Sequence, residues 1–231
     1  MAGDAAVQRR AEVDRPRGAR LNLGCGHNAP EGWDNYDRSP MIVMRRHPRI
    51  RSALFKAKVL HSDHLHLWPA NIIRRDLSKP LPYADGTAEA VYSSHMLEHL
   101  YLDDARALLA ECHRVLRPGG LLRLALPDGE QWARDLLDAG DDPGGQAALK
   151  YQEMLRAHPT AKPSGRSAVA FVAGSNWHKW QPTRGLLRML LSEAGFSDIQ
   201  EHKFRDGQIP DLELVELRED SMFFEAQRPD N

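Results

Sequence analysis

Short apolar runs of strand length alternate with stretches of helical periodicity along most of this chain. That alternation restricts the architectures open to it more than any other feature. Strands separated by helical crossovers pack as a largely parallel sheet with helices on its faces, an α/β domain. Strands are expected at Arg20–Leu23, Trp33–Asp37, Asn71–Leu77, Ala88–Ser93, Leu121–Leu126, Phe196–Lys203 and Ser221–Ala226. The clearest helix carries Ala105, Leu108, Leu109, Cys112, Val115 and Leu116 on one face. Asp103 or Asp104 is its expected N-cap, and Arg117-Pro118-Gly119-Gly120 its stop. Further helices are expected over Gln131–Ala139 and around Leu186–Ala194. Hydrophobic residues make up 42% of the 231, enough for one core, so one domain over 19–231 is expected behind a polar tail at 1–18.

The balance of charge narrows the partners. Thirty-one Lys and Arg face 32 Asp and Glu, a formal charge of −1, which gives no global reason to bind nucleic acid. No run approaches the ~20 apolar residues of a membrane span. The charged N-terminal stretch lacks the apolar core of a secretory leader, so a cytoplasmic protein is expected. Cys25 and Cys112 offer no CxxC pair for zinc.

Ligands of open α/β sheets bind at the carboxyl ends of the strands, near the switch in strand order. The first strand here ends in Leu23-Gly24-Cys25-Gly26, a turn that brings backbone close to a bound molecule. Asp37 ends the next strand, where a carboxylate matches a ribose diol, and Asp76 ends the third, where it can accept from an adenine amine. Each Asp alone is equally explained as a turn former.

Taken in order, LNLGCG, Asp37, DLSKPLPYADGTAEAVYSSHMLEHL and ECHRVLRPGGLLRLALPD resemble a class I S-adenosylmethionine-dependent methyltransferase, over Leu21 to Asp128. The pattern LNLGCG…GW.N.D is similar to a bacterial subgroup whose members are often encoded near glycan or secondary-metabolite pathways. The resemblance implies a Rossmann-like sheet with an antiparallel last strand. It implies S-adenosylmethionine as cofactor, held by Leu23, Gly24, Cys25, Gly26, Asp37, Asp76, Leu77, Ser94 and His95. It implies methyl transfer to a small-molecule or glycan acceptor, with a hydroxyl oxygen favoured. An in-line displacement from an activated sulfonium needs alignment first. An alcohol acceptor gains from a general base, for which His95 and His178 are candidates. Trp177 and Trp180 flank His178 and either line the acceptor pocket or anchor the core. The small Cys25 is not expected to be a nucleophile.

One spacing departs from the dinucleotide pattern. Asp37 follows Gly26 by only eleven positions, where the ribose acid of a dinucleotide fold lies about 20 residues on. The first helix must be shortened or lost. A nicotinamide-dependent reductase is disfavoured, since the third glycine is absent; the other rival is a non-catalytic binding subunit of the same fold.

Residues 38–62 hold no acid, and Arg45, Arg46, Arg49, Arg51, Lys56 and Lys58 fall inside this stretch. Ile50, Ala53, Leu54 and Ala57 share one helical face, so a basic helical insert is expected at about 38–70. It packs on the domain, caps an anionic acceptor or touches a membrane surface peripherally, the last least favoured. No metal is expected: His61, His64 and His66 do not have zinc-ligand spacing. His99 is read as a structural hydrogen bonder.

Overall fold

A computed structural model of the chain describes residues 18–45, 47–56, 68–157 and 177–230. The expected N-terminal tail, apart from Gly18, lies outside them, as do His61, His64 and His66. Seven strands form one sheet: β1 (Ala19–Leu23), β2 (Asp34–Asp37), β3 (Ile72–Arg74), β4 (Ala88–Ser94), β5 (Leu116–Leu126), β6 (Ser197–His202) and β7 (Met222–Gln227). Their order is β3-β2-β1-β4-β5-β7-β6. All neighbours pair parallel except at β7, which runs antiparallel to both β5 and β6. Strand order reverses between β1 and β4, and register sets Leu23 beside both Tyr36 and Ser93. The carboxyl ends of these central strands therefore lie side by side, at the place where such sheets bind ligands.

Among the described residues the α-helices are α1 (Met41–Met44), α2 (Pro48–Lys56), α3 (Leu102–Val115), α4 (Gly129–Asp138), α5 (Gln146–Leu155), α6 (Arg184–Glu193) and α7 (Leu212–Val215). The apolar stripe of α3 is buried as its spacing predicts, at Ala105, Leu108, Leu109, Cys112 and Val115. It packs with Leu187, Leu190 and Leu191 of α6 into one core that includes Leu21, Leu23 and Phe224.

Several boundaries differ from the sequence reading. Tyr101, in extended conformation, is the N-cap of α3 and makes no side-chain cap. Asp103 and Asp104 sit in the first turn, where negative charge suits the helix dipole. Arg117–Gly120 is not a free loop but the irregular entry of β5. Gly119 has φ +72°, and a Cβ on Gly120 would meet the Arg117 carbonyl at 2.8 Å. β3 ends at Arg74, so Asp76 lies in the following turn and not in the strand. In the basic insert α1 and α2 are helical, and α1 buries Met41 and Ile42. Ile50 and Ala53 of the expected apolar face are exposed, however.

No helix joins β1 to β2. Residues 24–33 form a loop pinned by a buried amide pair. The Asn22 side-chain amide donates to the Asn28 carbonyl at 2.9 Å and to Asn35 Oδ1 at 3.0 Å. Asn35 donates in turn to the carbonyls of Pro30 (3.0 Å) and Trp33 (2.8 Å). Side chains thus satisfy the loop carbonyls, which have no helix ladder to pair with.

Candidate active site

The glycine turn closes over the ends of β1 and β2. The N–H groups of Gly24 and Cys25 both donate to the Tyr36 carbonyl, at 2.8 and 3.0 Å. Asp37 then grips the turn from below: its Oδ2 accepts from Gly26 N–H at 3.0 Å and its Oδ1 from Ser39 N–H at 2.7 Å. The two glycines are needed for different reasons. Gly24 has φ +72°, and a Cβ there would strike the Met96 side chain at 2.3 Å. Gly26 has φ +56° and open space within 4 Å of a Cβ position. Only Gly26 leaves room for a ligand; at Gly24 the space belongs to Met96. Cys25 is buried, and burial beside Asp37 pushes its thiol up to about 12, so it is no nucleophile at neutral pH.

Leu23 and Leu77 are buried beneath this end of the sheet, and Ser94 is half-buried at the end of β4. Asp76 is exposed. It caps its own turn, accepting from Ser78 N–H at 3.1 Å and from Ser78 Oγ at 2.8 Å. Those bonds hold its carboxyl below the usual range.

His95 follows β4 directly with φ 47°, a left-handed conformation unusual for a non-glycine residue. Its N–H is fixed to the Ala125 carbonyl at 2.9 Å and its Nε2 meets Ser221 Oγ at 2.8 Å. Burial, followed by the Arg218 charge, pushes its pKa down to about 4, so the imidazole is neutral at pH 7. Its Nδ1 faces Glu98 Oε1 at 3.7 Å.

His178 is brought to the same carboxylate as His95. It is buried, and its Nε2 lies 3.9 Å from the same Glu98 oxygen. Burial holds its pKa near 4. Trp132 of α4 stacks nearly parallel to its ring, at 6.5 Å between centroids. Trp180 packs against the main core, the anchoring alternative of the two expected for it. Glu98, Ser221 and Trp132 were not singled out by sequence reasoning. What marks Glu98 is tertiary: full burial of a carboxylate among three imidazoles.

The sheet is doubly wound with one antiparallel strand, and its Gly-X-Gly turn is held by a strand-end carboxylate, a Rossmann-like arrangement of the kind the sequence resemblance implies. Residues 40–124 match the family model described as a methyltransferase domain. A curated relative is the ubiquinone/menaquinone biosynthesis C-methyltransferase UbiE of Desulfotalea psychrophila, 34% identical over 131 residues. The match takes in 56% of this chain, and the chain spans about half (48%) the length of that relative. Among solved structures, an S-adenosylmethionine-dependent methyltransferase from Mesorhizobium loti is 20% identical, with 96% of each chain covered and a TM-score of 0.47. A putative methyltransferase from Haloferax volcanii, solved with the Trm112 activator, is 16% identical, covering 97% of this chain and 88% of that one at a TM-score of 0.48.

Proposed function

We propose that the protein transfers the methyl group of S-adenosylmethionine to a small-molecule or glycan acceptor in the cytoplasm. The observation that carries this reading is the glycine turn, clasped by Asp37 at the strand-order switch with open space at Gly26. The turn backbone would pass beneath the methionine part of the cofactor. Asp37 would hold the ribose through lone pairs its two backbone bonds leave free, since an ionised carboxylate has about four acceptor sites. Asp76 with Leu77 would lie at the adenine, and Ser94 and His95 between cofactor and acceptor. The nicotinamide alternative is poorly supported: no helix begins after Gly26, so the pyrophosphate site at a helix N-terminus is missing.

Of the two candidate bases, His95 is the one retained. It stands at the end of β4, with its ring oriented by Ser221. We propose a hydroxyl oxygen as the acceptor atom. A carbon acceptor is the second reading, favoured by the relative named as a C-methyltransferase. Both need a proton removed as the new bond forms, and neither needs covalent catalysis by the protein.

Calorimetric titration with S-adenosylhomocysteine, NADH and NADPH tests the cofactor. Binding of S-adenosylhomocysteine alone, weakened at least ~10-fold in Asp37→Ala, is the expected result. Preferential binding of NADPH overturns the reading. Mass spectrometry of products after turnover on hydroxylated glycans and phenolic compounds then distinguishes oxygen from carbon methylation.

A further inference from the structure

Glu98 has a surplus that the methyl-transfer reading does not use. Its carboxylate is fully buried in the short 3-10 turn Leu97–His99, yet among the described residues neither oxygen accepts a hydrogen bond. An unpaired buried carboxylate is costly, and it persists where something else supplies the missing partner. Its Oε1 lies 3.9 Å from Nε2 of His99 and 3.9 Å from Nε2 of His178. These are too long for hydrogen bonds and right for one atom in between. One donor atom from each of the three residues fits within 4.8 Å of the others. A point in their plane equidistant from all three lies at most about 2.5 Å from each, within a few tenths of ordinary zinc–imidazole and zinc–carboxylate bonds of about 2.0–2.2 Å.

The surroundings hold these donors in place. His99 Nδ1 donates to the Trp177 carbonyl at 3.3 Å, which fixes the tautomer that leaves Nε2 with a lone pair. Two chain segments are stitched together at the cluster. Lys179 N–H donates to the Glu98 carbonyl at 2.7 Å, and His178 N–H to the Arg156 carbonyl at 3.1 Å.

We propose that Glu98, His99 and His178 form a binding site for a divalent transition-metal ion. Two imidazoles and one carboxylate suit Zn²⁺, Fe²⁺ or Mn²⁺. The proposal departs from the expectation of no metal, which weighed only neighbouring histidines; His99 and His178 are 79 positions apart. It does not rest on methyl transfer, because metal binding is measured separately from binding of S-adenosylhomocysteine.

The full-length chain, stripped with chelator, is titrated with Zn²⁺ by calorimetry and with Co²⁺ by visible absorption. One equivalent should bind. Co²⁺ should give d–d bands without the thiolate charge transfer that Cys25 or Cys112 would produce. Glu98→Gln and His178→Gln should each weaken Zn²⁺ at least ~10-fold, with folding checked by circular dichroism. A triple variant, H61A/H64A/H66A, should bind as tightly as the parent. X-ray absorption of the parent's Zn²⁺ complex, which needs no variant to fold, should count two imidazoles and no sulfur. Absence of binding, sulfur in the zinc shell, unchanged affinity in both single variants or loss of the equivalent in the triple variant would each overturn the proposal.

Discussion

Single residues at the glycine turn carry opposite tolerances to change. Gly24 adopts a left-handed φ, and Met96 occupies the place of its missing Cβ. Gly24→Ala should lose about 1–2 kcal/mol from backbone strain alone, plus the cost of moving Met96, measured as a lower midpoint in urea. Gly26→Ala carries the backbone strain without the clash, so its stability loss should be smaller. Its loss of S-adenosylhomocysteine affinity should be the larger of the two if the cofactor uses the space beside it. Cys25 gives an independent check on burial. With its thiol pushed up to about 12, and that of Cys112 likewise, neither should react appreciably with a disulfide reagent at pH 8 in the native protein. Both should react on unfolding. The need for glycine at position 24 was legible from the turn; its cause was not, because Met96 is a partner 72 positions away.

Whole elements are held by polar ties as much as by apolar faces. The loop that replaces the first helix hangs on Asn22 and Asn35, and Asn35→Ala would strip three hydrogen bonds from it. A loss of about 1–3 kcal/mol is expected, the range for buried groups left without partners, again read from urea unfolding. At the other end of the sheet Arg184 joins α4, α6 and β6. Its guanidinium donates to Asp128 at 2.8 and 3.0 Å and to Glu201 at 3.0 Å, while its N–H donates to Glu130 at 2.7 Å. Burial alone would raise the Asp128 pKa, but the Arg184 guanidinium and the Gln131 N–H outweigh it and hold the carboxyl below its usual range. A carboxyl depressed in the folded state stabilises above its unfolded pKa of about 4 and ceases to as pH falls through the folded value. Arg184→Met should therefore lower stability by about 1 kcal/mol at pH 7, and the difference should shrink as pH falls below about 4, seen in paired thermal melts.

Across the whole molecule, one ion cluster joins the middle of the sheet to the C-terminal segment. Arg123 interrupts the apolar run of β5 and is fully buried. It donates to Glu216 at 2.9 and 3.0 Å and to the carbonyls of Asp206 (2.8 Å) and Lys203 (3.0 Å). Glu225 of β7 lies 3.7 Å away and accepts from Gln208 N–H at 2.9 Å. Arg123→Met would leave two buried carboxylates without their cation, at a cost of about 3–5 kcal/mol in denaturant unfolding. Along the sequence Arg123 is no more than a charge inside an otherwise apolar run, Leu121–Leu126. The sequence by itself determined the alternation of strands and helices, the stripe of α3, the glycine turn with Asp37, and that no full first helix fits, though not whether it would be shortened or lost. Each of these is a local matter of period, spacing or permitted backbone angle. Tertiary structure decided the rest: why Arg123 is buried, why Asp76 caps a turn outside its strand, and how Glu98, His99 and His178 converge. Those outcomes depend on which distant segments share a low-dielectric interior, where a charge must find a partner, and pairings of that kind leave no periodic mark along a chain.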